Sequence, residues 1–202
     1  MNIQLANVRL SYPAIWKPKA FAAASPGEQT SEPKYQATAL ISKTTDPKSE
    51  DFPRVIVDGK PQPDAVKALQ AAIQAVAEEK WGKGKVPKAM NPCLHDGSEK
   101  DDTDGYGDGV VFIGASSKNR VPVIDRDLTP LTEESGRPYA GCYVNISIKL
   151  WAQDNQYGKR VNAQLRAIQF VRKGEPFGEA PVDVNKEFQA LPDSGATDPS
   201  LE

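Results

Sequence analysis

Aromatic rings and cations recur together at several places in this 202-residue chain. Residues 139–151 alternate cleanly. Cys142, Val144, Ile146, Ile148 and Leu150 take one parity, and Tyr143, Asn145, Ser147, Lys149 and Trp151 the other. That period marks a β-strand buried on one side. Plain solvation of the other side needs only polar residues, so Tyr143 and Trp151 with Lys149 between them require a further reason. Rings stack on unpaired bases for roughly 1–3 kcal/mol each, and cations answer phosphates. Gln164 and Arg166 on the following strand extend the same face. A second group holds Tyr12, Trp16 and Phe21 with Lys17 and Lys19, the two lysines being the expected phosphate contacts. A third, Trp81 to Lys88, sets Lys83 and Lys85 among flexible glycines, and Lys118 with Arg120 forms a fourth. Each group has a plain alternative. The outward face can be covered by the tail, a loop or a second subunit. The proline-stiffened segment can pack on the body, and the lysine loop can be a solvated helix exit.

Catalytic readings are thinner. His95 is the chain's single histidine, so any Ser-His-Asp triad would have to pass through it. Cys93, His95 and Asp96 could begin a metal site, but no second ligand pair follows, and a structural zinc site takes four close ligands. The run from Asp102 resembles the opening of a calcium loop, yet its twelfth position is Ile113 rather than glutamate. Neither phosphate-binding glycine motif is present. No metal, cofactor or catalytic activity is expected.

These groups sit on five expected strands and one helix. The strands cover residues 2–12, 34–42, 110–115, 139–151 and about 159–172. A parity change between Leu5 and Val8 and another near Ala167 predict β-bulges. The helix covers 64–80, where Val66, Leu69, Ile73 and Val76 form one apolar stripe between Pro63-Asp64 and Gly82. It falls between the second and third strands. Asp and Gly dominate the long loop 82–109. The expected fold is all-β dominated, a five-stranded OB-like barrel with one helix and long loops. An α+β sandwich is the alternative.

The formal net charge of −2 conceals a partition. Residues 175–202 carry seven acids and one base; the remainder has 24 bases against 20 acids, a net +4. The expected organisation is a binding domain over 1–178 and a disordered acidic tail over 179–202. Two cysteines, Cys93 and Cys142, are expected as free thiols of a cytoplasmic protein. No apolar run approaches the ~18 residues needed to cross a bilayer.

Five stretches in order carry a family resemblance: 9–13 (RLSYP), 34–43 (KYQATALISK), 112–118 (FIGASSK) with 120–125, 139–145 (YAGCYVN), and 165–178 ending QFVRKGEPFG. Over about 9–188 the chain resembles a family of phage-encoded OB-fold single-stranded-DNA-binding proteins. The resemblance implies sequence-independent ssDNA binding in phage replication or recombination, no catalysis, and homodimers. It also implies a tail that competes with DNA for a basic groove and engages phage or host replication or recombination proteins. Cys93 and His95 depart from the ordinary loop residues expected there. Two rival classes remain: a protein-interaction scaffold, and a metal-dependent nuclease using the Asp96–Asp108 loop.

Overall fold

Alternation in the sequence becomes a closed sheet. The computed structural model describes residues 1–20, 32–156 and 158–178. Its strands are β1 (Asn2–Lys19), β2 (Lys34–Ser42), β3 (Arg54–Val57), β4 (Lys60–Gln62), β5 (Leu94–Asp96), β6 (Val110–Ser117), β7 (Val123–Ile124), β8 (Tyr143–Asn155) and β9 (Gly158–Arg172), with one helix, α1 (Ala65–Trp81). Five of them close a ring, β1–β2–β6–β9–β8–β1. Every junction in the ring is antiparallel except β6–β9. This is the expected five-stranded OB-like barrel, with α1 between its second and third strands. The four remaining strands are additions that sequence reasoning missed: a β3–β4 hairpin on β1, β5 on β6 and β7 on β9.

The inward parity fills the barrel. Ile146, Ile148 and Leu150 of β8 meet Leu165 and Ile168 of β9 and Leu5 and Leu10 of β1, all of them buried. α1 packs against β3, β8 and β9 through Leu69, Ala72, Ile73, Val76 and Ala77. Asp64 caps its first turn by accepting from the Lys67 N–H at 3.0 Å. At the other end the Trp81 indole donates to Asp154 at 2.9 Å, which ties the helix to the β8–β9 hairpin.

Both expected bulges are present. Register shifts between Leu5 and Val8 where β1 meets β8, and Ser147 faces Ala167 while Ile148 faces Leu165, leaving Arg166 as the extra residue. β1 runs seven residues past its expected end through two further irregularities, and Tyr12 stands at φ 45° in the first of them. The expected tail 179–202 lies outside the described residues.

Residues 174–177 close against the barrel at Gly141. This glycine has φ +99°, and a Cβ there would lie 2.1 Å from the Glu175 carbonyl oxygen. Gly141→Ala should therefore cost more than ~1 kcal/mol in a urea unfolding curve. Gly114→Ala, whose Cβ meets nothing nearer than the Thr38 hydroxyl at 4.0 Å, should leave the midpoint unchanged or slightly raised.

Candidate nucleic-acid interface

Outward residues of the barrel strands line a groove of about 1700 Å³. Its floor follows the register from strand to strand: Ala14 pairs with Gln36, Gln36 with Ser116, Ser116 with Gln164 and Gln164 with Lys149. Gly114 and Thr38 lie beside that row. Small and amide side chains leave the floor open. Six cations line the groove, Lys19, Lys34, Lys100, Lys118, Lys149 and Arg160, and none of the lining residues is Asp or Glu. In a chain with 27 acids against 25 bases, that is a strong local segregation of charge. Lys19 and Lys34 face each other across the β1–β2 ladder, a like-charge pairing that costs stability unless an anion relieves it.

Two rings stand out at the ends of the row. Trp151 on β8 is 43% exposed and Tyr12 on β1 is 55% exposed. Beside Tyr12, the loop after β5 supplies Tyr106 and Lys100. Tyr106 meets Phe112 edge-on at 5.2 Å, and His95 stacks on Phe112 at 5.2 Å and 23°. The Tyr106 hydroxyl lies 3.3 Å from the Ser11 Oγ, and burial pushes its pKa up.

The expected contact residues divide. Tyr12, Lys19, Lys118, Lys149 and Trp151 line the groove. The other seven do not. Tyr143 is only 8% exposed: Arg172 lies 3.3 Å from its ring centroid, and Asp51 accepts its hydroxyl. On the outward side of β8 the covering-loop alternative thus holds for Tyr143 and fails for Trp151. Trp16 is half-buried against the core cluster, and Lys17 pairs with Glu133 at 3.1 Å. Arg166, displaced by the bulge, donates to Asn2 at 2.8 Å. Lys83 and Lys85 are exposed in the helix-exit loop and Arg120 is exposed after β6, each outside the groove lining.

Sequence reasoning missed Lys34, Gln36, Lys100, Phe112, Arg160 and Asn162 in the lining. The alternation Lys34, Gln36, Thr38 on β2 could have found that strand's share. Nothing local signals Lys100, which a loop carries into place.

The Asp-rich loop serves as scaffolding. Lys43 donates to Asp96 at 2.7 Å, and that contact above all, with the Ser98 contacts, holds the carboxyl at about 2. Asp104 accepts from the Gly178 N–H at 2.8 Å. Among the described residues no three His, Cys, Asp or Glu side chains converge as metal ligands would. No described helix is long and apolar enough to cross a membrane.

A family model described as "Enterobacter phage Enc34, ssDNA-binding protein" matches residues 1–198. The chain belongs to that family. A family relative from Acyrthosiphon pisum secondary endosymbiont phage 1, "Putative protein p50", is 37% identical over 199 residues, covering 95% of this chain and 94% of the relative. The single-stranded DNA-binding protein of bacteriophage Enc34, solved in complex with ssDNA, superposes with a TM-score of 0.65 at 29% identity, over 88% of this chain and 89% of that one. Another structure of the Enc34 protein gives a TM-score of 0.63 at 27% identity, over 93% and 90%.

One member of the lining in this Enc34-family chain is a thiol. Cys93 and Cys142 are both free and buried, and burial pushes their pKa values up to about 12 and about 11. The thiolate is the reactive form. At pH 8 a disulfide reagent such as DTNB should therefore read no fast thiol in the native protein and two after denaturation. The unfolded chain releases thiol protons from about pH 8.5, well before the folded one, so stability should fall as pH rises past that value.

Proposed function

We propose that this protein binds single-stranded DNA without regard to sequence in the barrel groove, protecting it during phage replication or recombination in the host cytoplasm, and that it is not an enzyme. The observation that carries this reading is the groove itself: six cations with no Asp or Glu in the lining, and an exposed Trp151 over a floor of small and amide side chains. Clustered cations, of which only Lys118 meets a carboxylate among the described residues, attract any phosphate backbone, and an exposed indole offers a face to any base. Neither contact reads a base edge, so the preference is for a single strand rather than a sequence. The Enc34 protein, solved with ssDNA, supports the same use of this barrel.

The domain over 1–178 carries the groove. The acidic stretch beyond it, together with Glu175, brings six net negative charges to a chain whose groove carries six cations. That stretch competes with DNA as an intramolecular polyanion, weakening non-specific binding at low salt. The same stretch offers a contact for phage or host replication or recombination proteins, and the protein works as a homodimer.

Trp151→Ala should weaken oligo-dT binding by about 5- to 150-fold in a fluorescence anisotropy titration, the range for losing one stacked base. Lys149→Ala should reduce the slope of log K against log salt by about 0.7. Binding that keeps its affinity and its slope in both variants would remove the groove from the reading. Deleting residues after 178 should tighten binding at 50 mM salt and have little effect at 500 mM. Weaker binding at both would sink the competing-tail proposal.

A further inference from the structure

The Tyr12 end of the groove carries an arrangement that Trp151 does not share. The Lys100 ammonium lies 5.2 Å from the Tyr12 ring centroid, 5.4 Å from that of Tyr106 and 5.1 Å from that of Phe112. Among the described residues no carboxylate lies within ion-pair distance of it. Other lysines do find acids: Lys43 with Asp96, Lys118 with Glu32 and Lys159 with Asp154. Rings hold an ammonium by their quadrupoles without neutralising it, so Lys100 keeps its full charge for an anion.

Of the three rings only Tyr12 is open. Phe112 is 7% exposed, and Tyr106 is half-buried with its hydroxyl on Ser11. Tyr12 is a non-glycine residue at φ 45°, a left-handed conformation that costs energy for any side chain with a Cβ. The irregularity in β1 that contains it turns the ring out into the groove, with Lys100 beside it. The ring contacts Tyr106 at 6.4 Å and the Lys100 ammonium, but at 55% exposure it buries little surface to offset that cost.

We propose that Tyr12 and Lys100 form a second nucleotide-binding station, on which an unpaired base stacks on Tyr12 while its phosphate meets the Lys100 ammonium. Tyr106 and Phe112 are positioning residues that hold the lysine in register with the ring. The inference rests on the groove reading and adds a span to it. From β1 to β8 the floor crosses four strand-to-strand steps of about 4.8 Å, roughly 19 Å along the sheet. Tyr12 and Trp151 therefore hold different nucleotides of one strand. A duplex, whose bases are already stacked and paired, can satisfy neither ring.

The test is oligo-dT titration of the full chain and of Tyr12→Ala, Tyr12→Phe, Lys100→Met, Trp151→Ala and the Tyr12/Trp151 double alanine variant, each over a salt series. The expected losses are about 5- to 150-fold for Tyr12→Ala and none for Tyr12→Phe, which keeps the ring. Lys100→Met should lower the salt slope by about 0.7. The double variant should lose close to the product of the single losses, as independent contacts do. If Tyr12→Ala lowers the melting temperature, Lys100→Met carries the test, since it leaves the ring in place. Wild-type binding by Tyr12→Ala and Lys100→Met, with Trp151→Ala weakened, overturns the second station and leaves the groove reading standing. A double variant no weaker than Trp151→Ala overturns it too. Wild-type binding by Trp151→Ala as well removes both.

Discussion

The groove depends on how the barrel closes. Four of its five junctions are antiparallel ladders that hairpins and neighbouring strands form readily. The fifth joins β6 to β9 in parallel, through only Ala115 with Ala163 and Ser116 with Gln164. Both alanines are buried, and their small side chains let the two backbones approach at this junction. That seam places the open floor of β2 and β6 next to the β9–β8 hairpin. Without it, β6 and β9 would be the two edges of an open sheet, and the floor between Tyr12 and Trp151 would be cut between Ser116 and Gln164. The inward residues supply most of the stability, but the two-residue seam determines that there is a groove.

Charge is distributed to match. A net charge of −2 argues weakly against a polyanion as ligand, and the average misleads because the acids are sequestered. Several are committed to structural bonds: Asp96 to Lys43 and the turn at Ser98, Asp64 to the start of α1, Asp154 to Trp81 and Lys159. These carboxylates are all held below their ordinary pKa, chiefly by those hydrogen bonds. The groove cations are answered less completely. Glu32 reaches Lys118, while Lys100 rests on rings. The local field over the groove, and not the net charge, is what a phosphate backbone meets.

Much of this was legible in the sequence, for reasons that differ by element. The strand parities and both bulges could be read because each buried face demands period-two apolar residues, and a bulge must shift that period. The helix was legible from its stripe and from Asp64 and Gly82. The β3–β4 hairpin was not. Its turn at Asp58-Gly59 is plain, but three or four residues a side are too few to show a period, and Pro61 reads as a breaker. Tyr143 and Trp151 share one parity and looked equivalent. What separates them is the loop that brings Asp51 and Glu50 over Tyr143 and Arg172, a contact spanning about ninety residues that no local pattern encodes. For Arg166 the reason is subtler: the sequence shows the shift near Ala167, but not which residue it expels from the face.

The Asp-rich loop shows how a segment without periodicity can still be specified. Gly97 lies where a Cβ would meet the Gly107 carbonyl at 2.4 Å, and Gly105 where one would meet the Phe177 ring at 2.2 Å. Close approach at both positions folds the loop on itself and seats it on the end of the body. Arg9 holds the other side of that seat, its guanidinium 4.3 Å from the Phe177 ring centroid and donating to the Glu175 carbonyl at 2.6 Å. Gly97 and Gly105 are thus demands of packing, and Asp96 and Asp104 serve as a cap and an anchor. Once it is pinned at both ends, Tyr106 and Lys100 are fixed beside Tyr12 without belonging to any strand. A loop that reads as an acidic, flexible liability beside a nucleic-acid groove is, by this geometry, the rigid support of one of its walls.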